Sequence, residues 1–377
     1  RNAFAHSSGI HQDGVLKTSN LERETVSLNL NPVLLDEHLN INFNGKFLNA
    51  DNRFANKAAI GDAVKYDPTK PVYDENGLNG YTWWNNGKGT TTLDNCNAMA
   101  TRNPVADLND YIDKANSKRF IGNAQIQYKI HGLEDLSVNL NLGMDYSKGK
   151  GYTTTLAGSE YSMHEKQESG TGSHKDYTQR RMDQTLEAYL NYQKTIKKHS
   201  FGIMAGYSWQ HFHTKSTEQK YAGNTPTDDP VWIINPKLTK TENYLISFFG
   251  RANYNFDDRY MITATLRYDG TSRFQQNKWG LFPSVALGWN IAREAFLRDS
   301  ETVSALKLRL SWGQTGQQDV AGDYPSIPTY MLNTDASQYI FGNSTIAPIK
   351  PQGYNNALKW ETTTTYNAGI DYGFLNG

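Results

Sequence analysis

FFGRANYNFDDRYMITATLRYDGTSRF, residues 248–274, decides the fold. Counted in twos from just upstream, Ile246, Phe248, Gly250, Ala252, Tyr254 and Phe256 alternate with Ser247, Arg251, Asn253 and Asn255. After Asp257, Asp258 and Arg259 a second run follows: Tyr260, Ile262, Ala264, Leu266 and Tyr268. Strict alternation over this length is the signature of a half-buried strand, because successive side chains of a strand point to opposite faces. Two such runs joined by a short polar segment make an antiparallel hairpin.

The same period recurs along the chain. It appears at Val26, Leu28, Leu30; at Leu39, Ile41, Phe43; at Phe120 and Ala124 through Ile130; at Val138 through Tyr146; at Leu186 through Tyr192; and at Phe201 through Trp209. It returns at Leu281 through Trp289, Leu306 through Trp312 and Thr364 through Tyr372, making about eleven strands, many near the roughly 9–11 residues a tilted membrane strand needs. Connections alternate in length: 31–38, 131–135, 195–199 and 257–259 are short, whereas 49–119, 147–183, 210–243 and 314–359 are long and rich in Gly, Asn, Thr and Pro. Short turns on one rim and long loops on the other are the layout of an outer-membrane barrel, and a soluble sandwich has no reason to alternate so. Aromatics at run ends (Tyr146, Trp209, Phe256, Tyr260, Trp289, Trp312, Tyr372) match interfacial girdles. The expected fold is therefore an all-β, antiparallel transmembrane barrel with short periplasmic turns and long extracellular loops. Its eleven strands would be half of a barrel of about 22, the size that carries a plugged lumen.

Composition agrees. The 377 residues carry 38 basic against 38 acidic side chains, 23 Tyr, 15 Phe, 8 Trp and 31 Gly. A formal net charge of zero with no basic block gives no footprint for nucleic acid. A single cysteine, Cys96, excludes an internal disulfide or a thiolate metal cluster. The mean hydropathy of −0.69 is compatible with a membrane barrel, whose interior is polar.

At this point the strands carry recognisable words. Residues 248–274, WGLFPSVALGW at 279–289, KLRLSWGQTG at 307–316, KWETTTTYNAGIDYGFLNG at 359–377, and KTSNLER, SLNLNP and NRFAN nearer the start together resemble the SusC/RagA family of TonB-dependent outer-membrane transporters. The resemblance implies energy-coupled import of an oligosaccharide or a peptide across a Gram-negative, Bacteroidetes-type outer membrane. It also implies a lid formed by a SusD-like surface lipoprotein and a plug that contacts TonB. It divides the chain into residues 1–17 and a partial barrel over 18–377, with plug and C-terminal strands expected elsewhere. A passive porin or adhesin barrel shares the architecture and is the alternative.

Residues 1–17, RNAFAHSSGIHQDGVLK, also resemble a segment of the 2-isopropylmalate synthases, in which His6 or His11 would inherit a catalytic role. Two histidines without a metal site or substrate pocket supply no chemistry, and His211 and His213 lie in an unrelated context. No P-loop, GxSxG or dinucleotide fingerprint occurs, so no catalytic residue, cofactor or metal is expected.

The candidate substrate-binding residues are Tyr81, Trp83, Trp84, Asn85 and Asn86 in the longest loop, and Trp232. Aromatic rings beside amides suit sugars, which present apolar C–H faces and hydroxyls together. Self-packing of the loop, or contact with a lid protein, competes with that reading. Asp107, Asp110 and Asp113 share one side of a short helix and could offer oxygens to Ca²⁺, although a solvated helix face accounts for them more simply. Asp228 and Asp229 have no partner base or nucleophile in sequence.

Overall fold

The computed structural model describes residues 2–85, 97, 99–164, 170–224, 233–298, 300, 302–319, 322–332, 339–346 and 349–375. Its main element is a meander of twelve long strands: β1 (Asn2–Asp13), β2 (Asn20–Asn31), β3 (Leu39–Phe54), β4 (Tyr111–Ile130), β5 (Leu133–Thr155), β6 (Ser173–Ile196), β7 (His199–Tyr221), β8 (Ile233–Phe256), β9 (Tyr260–Thr271), β10 (Trp279–Asn290), β11 (Val303–Gln317) and β12 (Glu361–Phe374). Each pairs antiparallel with its sequence neighbour, and the short segment Val33–Leu34 adds to β3. β1 and β12 are the two edges, so the sheet is open.

Register explains why these sequences make this sheet. Ile41, Ile126, Leu140, Ala188, Tyr207, Phe248, Tyr268 and Leu281 stand directly opposite one another across eight consecutive strands. The row one residue away holds Asn42, Gln125, Asn141, Glu187, Ser208, Ser247, Asp269 and Gly280. A one-residue slip in any strand would carry its whole apolar set to the polar face, so the pattern fixes the pairing. On the polar face side chains satisfy one another: Asn141 donates to Glu187 at 3.3 Å, and Arg267 reaches Asp269 at 2.8 Å and Ser247 at 2.9 Å.

Among the described residues, nothing covers the apolar face. Phe248, Leu266, Leu281 and Ile203 are about half exposed, and buried apolar side chains among the described residues are few. A compact soluble chain of 42.5 kDa should expose about 15,000 Å² by surface scaling, whereas this one exposes 24176 Å². That excess is the exposure of a wall, with lipid suited to cover its apolar side. On β8 the apolar run extends from Phe256 to Tyr244, twelve residue steps. At about 3.4 Å per step and a tilt of about 45° this gives a height of about 29 Å, close to the ~25 Å apolar band of outer-membrane barrels with its girdles. Stacked rings mark both limits: Tyr260 with Phe256 and Trp289 at 6.3 and 6.4 Å near the turns, and Tyr268 with Trp279 at 4.7 Å toward the loops. The Trp279 ring lies over Gly270, where an added Cβ would come within 2.8 Å of it.

The eleven strands expected from period two are all present, and two differences stand out. β1 is a further strand, paired with β2 from Asn2 to Asp13. On the apolar side it presents Ala3, Ala5, Ser7 and Gly9, too small to display alternation. This places the His6–His11 segment in the same sheet and gives the synthase resemblance no support. Strands β5 to β8 also run 23 or 24 residues, so much of the length expected to be loop at 147–183 and 210–243 is strand. Beyond Tyr146 and Trp209 both faces turn polar, which erases the period while pairing continues. His211 and His213 therefore lie within β7, not at its end.

Local chemistry explains the turns and one irregularity. Asp257 and Asp258 adopt φ of 55° and 53°, the left-handed geometry of a tight hairpin turn that short polar side chains tolerate. Pro283 lacks an N–H, and β11 pairs with β10 only from Ser284 toward the turn, so no donor is missed on that side. Gly280 is required by crowding from the Phe282 ring, which an added Cβ would meet at 2.6 Å, whereas Gly288 has ordinary room.

Candidate functional site

The long connection between β3 and β4 folds over the loop end of the sheet. It contains α1 (Ala58–Lys65), a strand at Tyr73–Leu78 that turns back to Tyr81, and α2 (Pro104–Asn109); α3 (Glu160–His164), from the next long connection, approaches α2. One residue ties these pieces together. Asn103, wholly buried, caps α2 by accepting from the Val105 and Ala106 amides at 3.0 and 3.3 Å. Its Nδ2 donates to the carbonyls of Val72 and Thr82, and its own amide donates to Glu160 Oε2 at 2.9 Å. Beside it Arg102 bridges Asp107 at 3.1 Å and Asp62 at 3.4 Å and lies 4.8 Å over the Tyr161 ring.

This knot carries the aromatic segment. Tyr81 accepts a hydrogen bond from Asn109 Nδ2 at 2.8 Å and packs at 5.6 Å on Tyr73. Lys70 Nζ sits 4.9 Å over the Trp84 ring, and Trp84 O accepts from the Asn97 amide. Trp83 and Trp84 are half-buried and Asn85 is exposed. Of this segment, Tyr81 and Trp84 are held by these contacts, and part of the Trp84 ring is occupied by Lys70. Asn86 and Trp232, with Asp228, Asp229 and Cys96, lie outside the described residues.

The three aspartates do not form a solvated helix face. Asp107 is 1 % exposed and paired with Arg102, Asp110 is 4 % exposed at the C-cap of α2, and Asp113 belongs to β4 and accepts from Tyr177. Burial, reinforced by the neighbouring Asp62 and opposed by Arg102, pushes Asp107 up to about 7. Burial likewise raises Asp110 to about 6 and Glu160 to about 7. Among the described residues no group of three or more His, Cys, Asp or Glu is placed to hold a metal ion. The helix period concealed this burial because the covering residues come from 62 and 160, far away in sequence.

A second assembly lies on the polar face near the loop rim. Phe274, Phe282 and Trp360 meet edge to face, with centroids 6.0 and 5.4 Å apart, and Leu245 and Leu358 pack against them. Trp360 Nε1 donates to Lys278 O at 2.9 Å, and Arg273 pairs with Asp319 and Asp323. The most recognisable words of the sequence, TSRF, WGLFP and KWE, converge here, where they fasten the 318–360 connection to the wall.

Comparison with known proteins completes the description. The family described as TonB dependent receptor-like, beta-barrel, matches residues 40–377. TonB-dependent receptor SusC of Bacteroides thetaiotaomicron is 41% identical over 97% of this chain, which spans 37% of that protein. TonB-dependent receptor P3 of Formosa agariphila is 30% identical over 96% of the chain, which covers 35% of it. Among solved structures, that of the RagAB peptide transporter superposes on 99% of the chain with a TM-score of 0.74 at 20% identity, and the chain covers 41% of it. This last likeness concerns the fold. The chain thus spans little more than a third of the length of these relatives.

Proposed function

The chain belongs to the TonB-dependent receptor β-barrel family, with a sequence of the SusC/RagA kind, and on that premise we propose that it forms part of the wall of an outer-membrane importer. The family is one of receptors and transporters, not enzymes. The remaining strands and the plug that contacts TonB belong, in this reading, to the rest of the protein, and a SusD-like lipoprotein covers the loop rim. The outer membrane is that of a Gram-negative bacterium of the Bacteroidetes type, as the SusC relative suggests. The carrying observation is the wall itself: apolar rows in unbroken register below, and a braced, aromatic-bearing loop assembly above.

The substrate proposed is an oligosaccharide. Half-buried Trp83 and Trp84 beside Tyr81 and Asn85 give flat apolar surface with amide hydrogen bonding, and a formal charge of zero offers no steering for an anionic chelate. A peptide is the second reading, favoured by the likeness of fold to the RagAB peptide transporter. Deleting the gene and testing growth on single glycans and single peptides decides between them: loss confined to a glycan supports the first, and loss confined to peptides the second. Unchanged uptake after removal of TonB refutes energy-coupled import under either.

A further inference from the structure

Directly above the apolar band, the lipid-side face carries a row of a different kind. Lys118, Lys148, Arg180, Lys215 and Lys240 stand directly opposite one another on β4, β5, β6, β7 and β8. Their side follows from parity. Lys148 is two residues beyond Tyr146 and four beyond Met144, and Lys118 is two before Phe120, all on the apolar side of their strands. Two residues of tilted strand raise Lys118 and Lys148 about 5 Å above Phe120 and Tyr146, while Lys215, six residues beyond Trp209, and Lys240, four beyond Tyr244, stand about 14 and 10 Å above those rings. Four strand spacings of about 4.8 Å make it about 19 Å wide.

Like charges directly opposite across strands repel, and nothing in the overall composition forces five together, since the chain as a whole is neutral. On the polar face, by contrast, four arginines, Arg119, Arg181, Arg267 and Arg309, each pair with an aspartate. Among the described residues Lys118, Lys148, Arg180 and Lys215 have no such partner, while Lys240 at the row's end reaches Glu242 at 3.4 Å. Between the strands the row frames a shallow depression of about 190 Å³ lined by Lys148, Lys150, Thr178, Gln179, Arg180, Lys215 and Thr217. Two threonine hydroxyls of the lining are hydrogen-bonded to each other at 2.5 Å, which leaves one hydroxyl hydrogen to donate to an oxyanion.

We propose that this depression binds the phosphate groups of an anionic outer-leaflet lipid. Its height places it at headgroup level, its cations are unpaired, and it faces the bilayer and not the lumen. Phosphate oxygens between Lys148, Arg180 and Lys215 would replace mutual repulsion by charge-assisted hydrogen bonds. The row would also set the depth of the wall in the membrane.

Native mass spectrometry of the detergent-purified full-length protein tests this, with three probes: diphosphorylated lipid A, the same lipid dephosphorylated, and inorganic phosphate. The phosphorylated lipid should be retained and its dephosphorylated form should not. Replacing Lys148, Arg180 and Lys215 together by Gln should cut retention about tenfold or more, since three charge-assisted contacts are lost. Ser216→Glu, on the opposite face and outside this lining, should leave retention unchanged, and heat-modifiable gel mobility verifies that each variant is folded. Equal retention of the dephosphorylated lipid, undiminished retention by the folded triple variant, or displacement of the lipid by millimolar inorganic phosphate would each overturn the proposal.

Discussion

Leu266→Arg compared with Thr265→Arg separates the two faces of the wall at one point. On β9 the apolar band runs from Tyr260 at the turn rim to the level of Ser272, so Leu266 is its midpoint. Six residue steps of about 3.4 Å at a tilt of about 45° leave it about 14 Å from either edge. Its neighbours across the strands are Gly250 and Pro283, neither able to shelter a charge, and Leu266 itself is 51% exposed. An arginine at the midplane on the lipid face costs about 2–4 kcal/mol. Thr265 faces the lumen opposite Arg251 and Ser284. An arginine there meets only a like charge on the neighbouring strand, a penalty of about 0.2–1 kcal/mol. The difference of about 2–3 kcal/mol corresponds to about a 30- to 150-fold change in the folding equilibrium. Urea titration of the full-length protein refolded into lipid vesicles reads both values. Equal destabilisation by the two arginines, or a larger cost at 265, would refute the assignment of faces.

Further expectations concern the loop assembly and its anchors. Asn103→Ala removes the cap of α2, worth about 1 kcal/mol, and orphans the buried Val72 and Thr82 carbonyls at about 1–3 kcal/mol, so protease should cut 66–102 faster while the strands stay intact. The folded-state values of Asp107, Asp110 and Glu160 are raised from 3.8, 3.8 and 4.5 to about 7, 6 and 7, so folding favours their protonated forms. Their stabilisation of the loop is complete below pH about 4 and is lost as pH rises through about 6 to 7. Amide exchange at 103–110, corrected for its intrinsic pH dependence, should therefore be slower at pH 5 than at pH 8, and Asp107→Asn should shrink the difference; a pH-independent ratio contradicts the burial. Trp360→Ala should cost about 3–5 kcal/mol of wall stability in the same urea titration, by emptying the space between Phe274 and Phe282.

What the sequence disclosed and what it hid follow from one physical difference. Where one face meets lipid, period two is enforced at every step, and Ile246 to Phe256 or Tyr260 to Tyr268 could be assigned to strand and face without coordinates. Where strands rise beyond the membrane the enforcement ends, so Ser173 to Asp183 looks like loop although it is paired throughout. β1 escaped because its apolar-side residues are Ala, Ala, Ser and Gly. The aromatic segment at Tyr81 to Asn85 was visible as composition, but its bracing by Asn103 and Lys70 depends on contacts across 21 and 14 residues that no local pattern reports. The basic row was invisible for the same reason, since Lys118, Lys148, Arg180, Lys215 and Lys240 become one feature only through register.

The central claim is that this chain is a membrane wall whose even-numbered β9 residues face lipid. Nitroxide labels placed singly at 261 through 268 of the full-length protein in vesicles, with Cys96 replaced, measure it directly through collision with oxygen and with a water-soluble nickel chelate. Oxygen accessibility should peak at 262, 264, 266 and 268, and nickel accessibility at 261, 263, 265 and 267. Accessibility without a two-residue period, or with the two sets exchanged, would contradict the account.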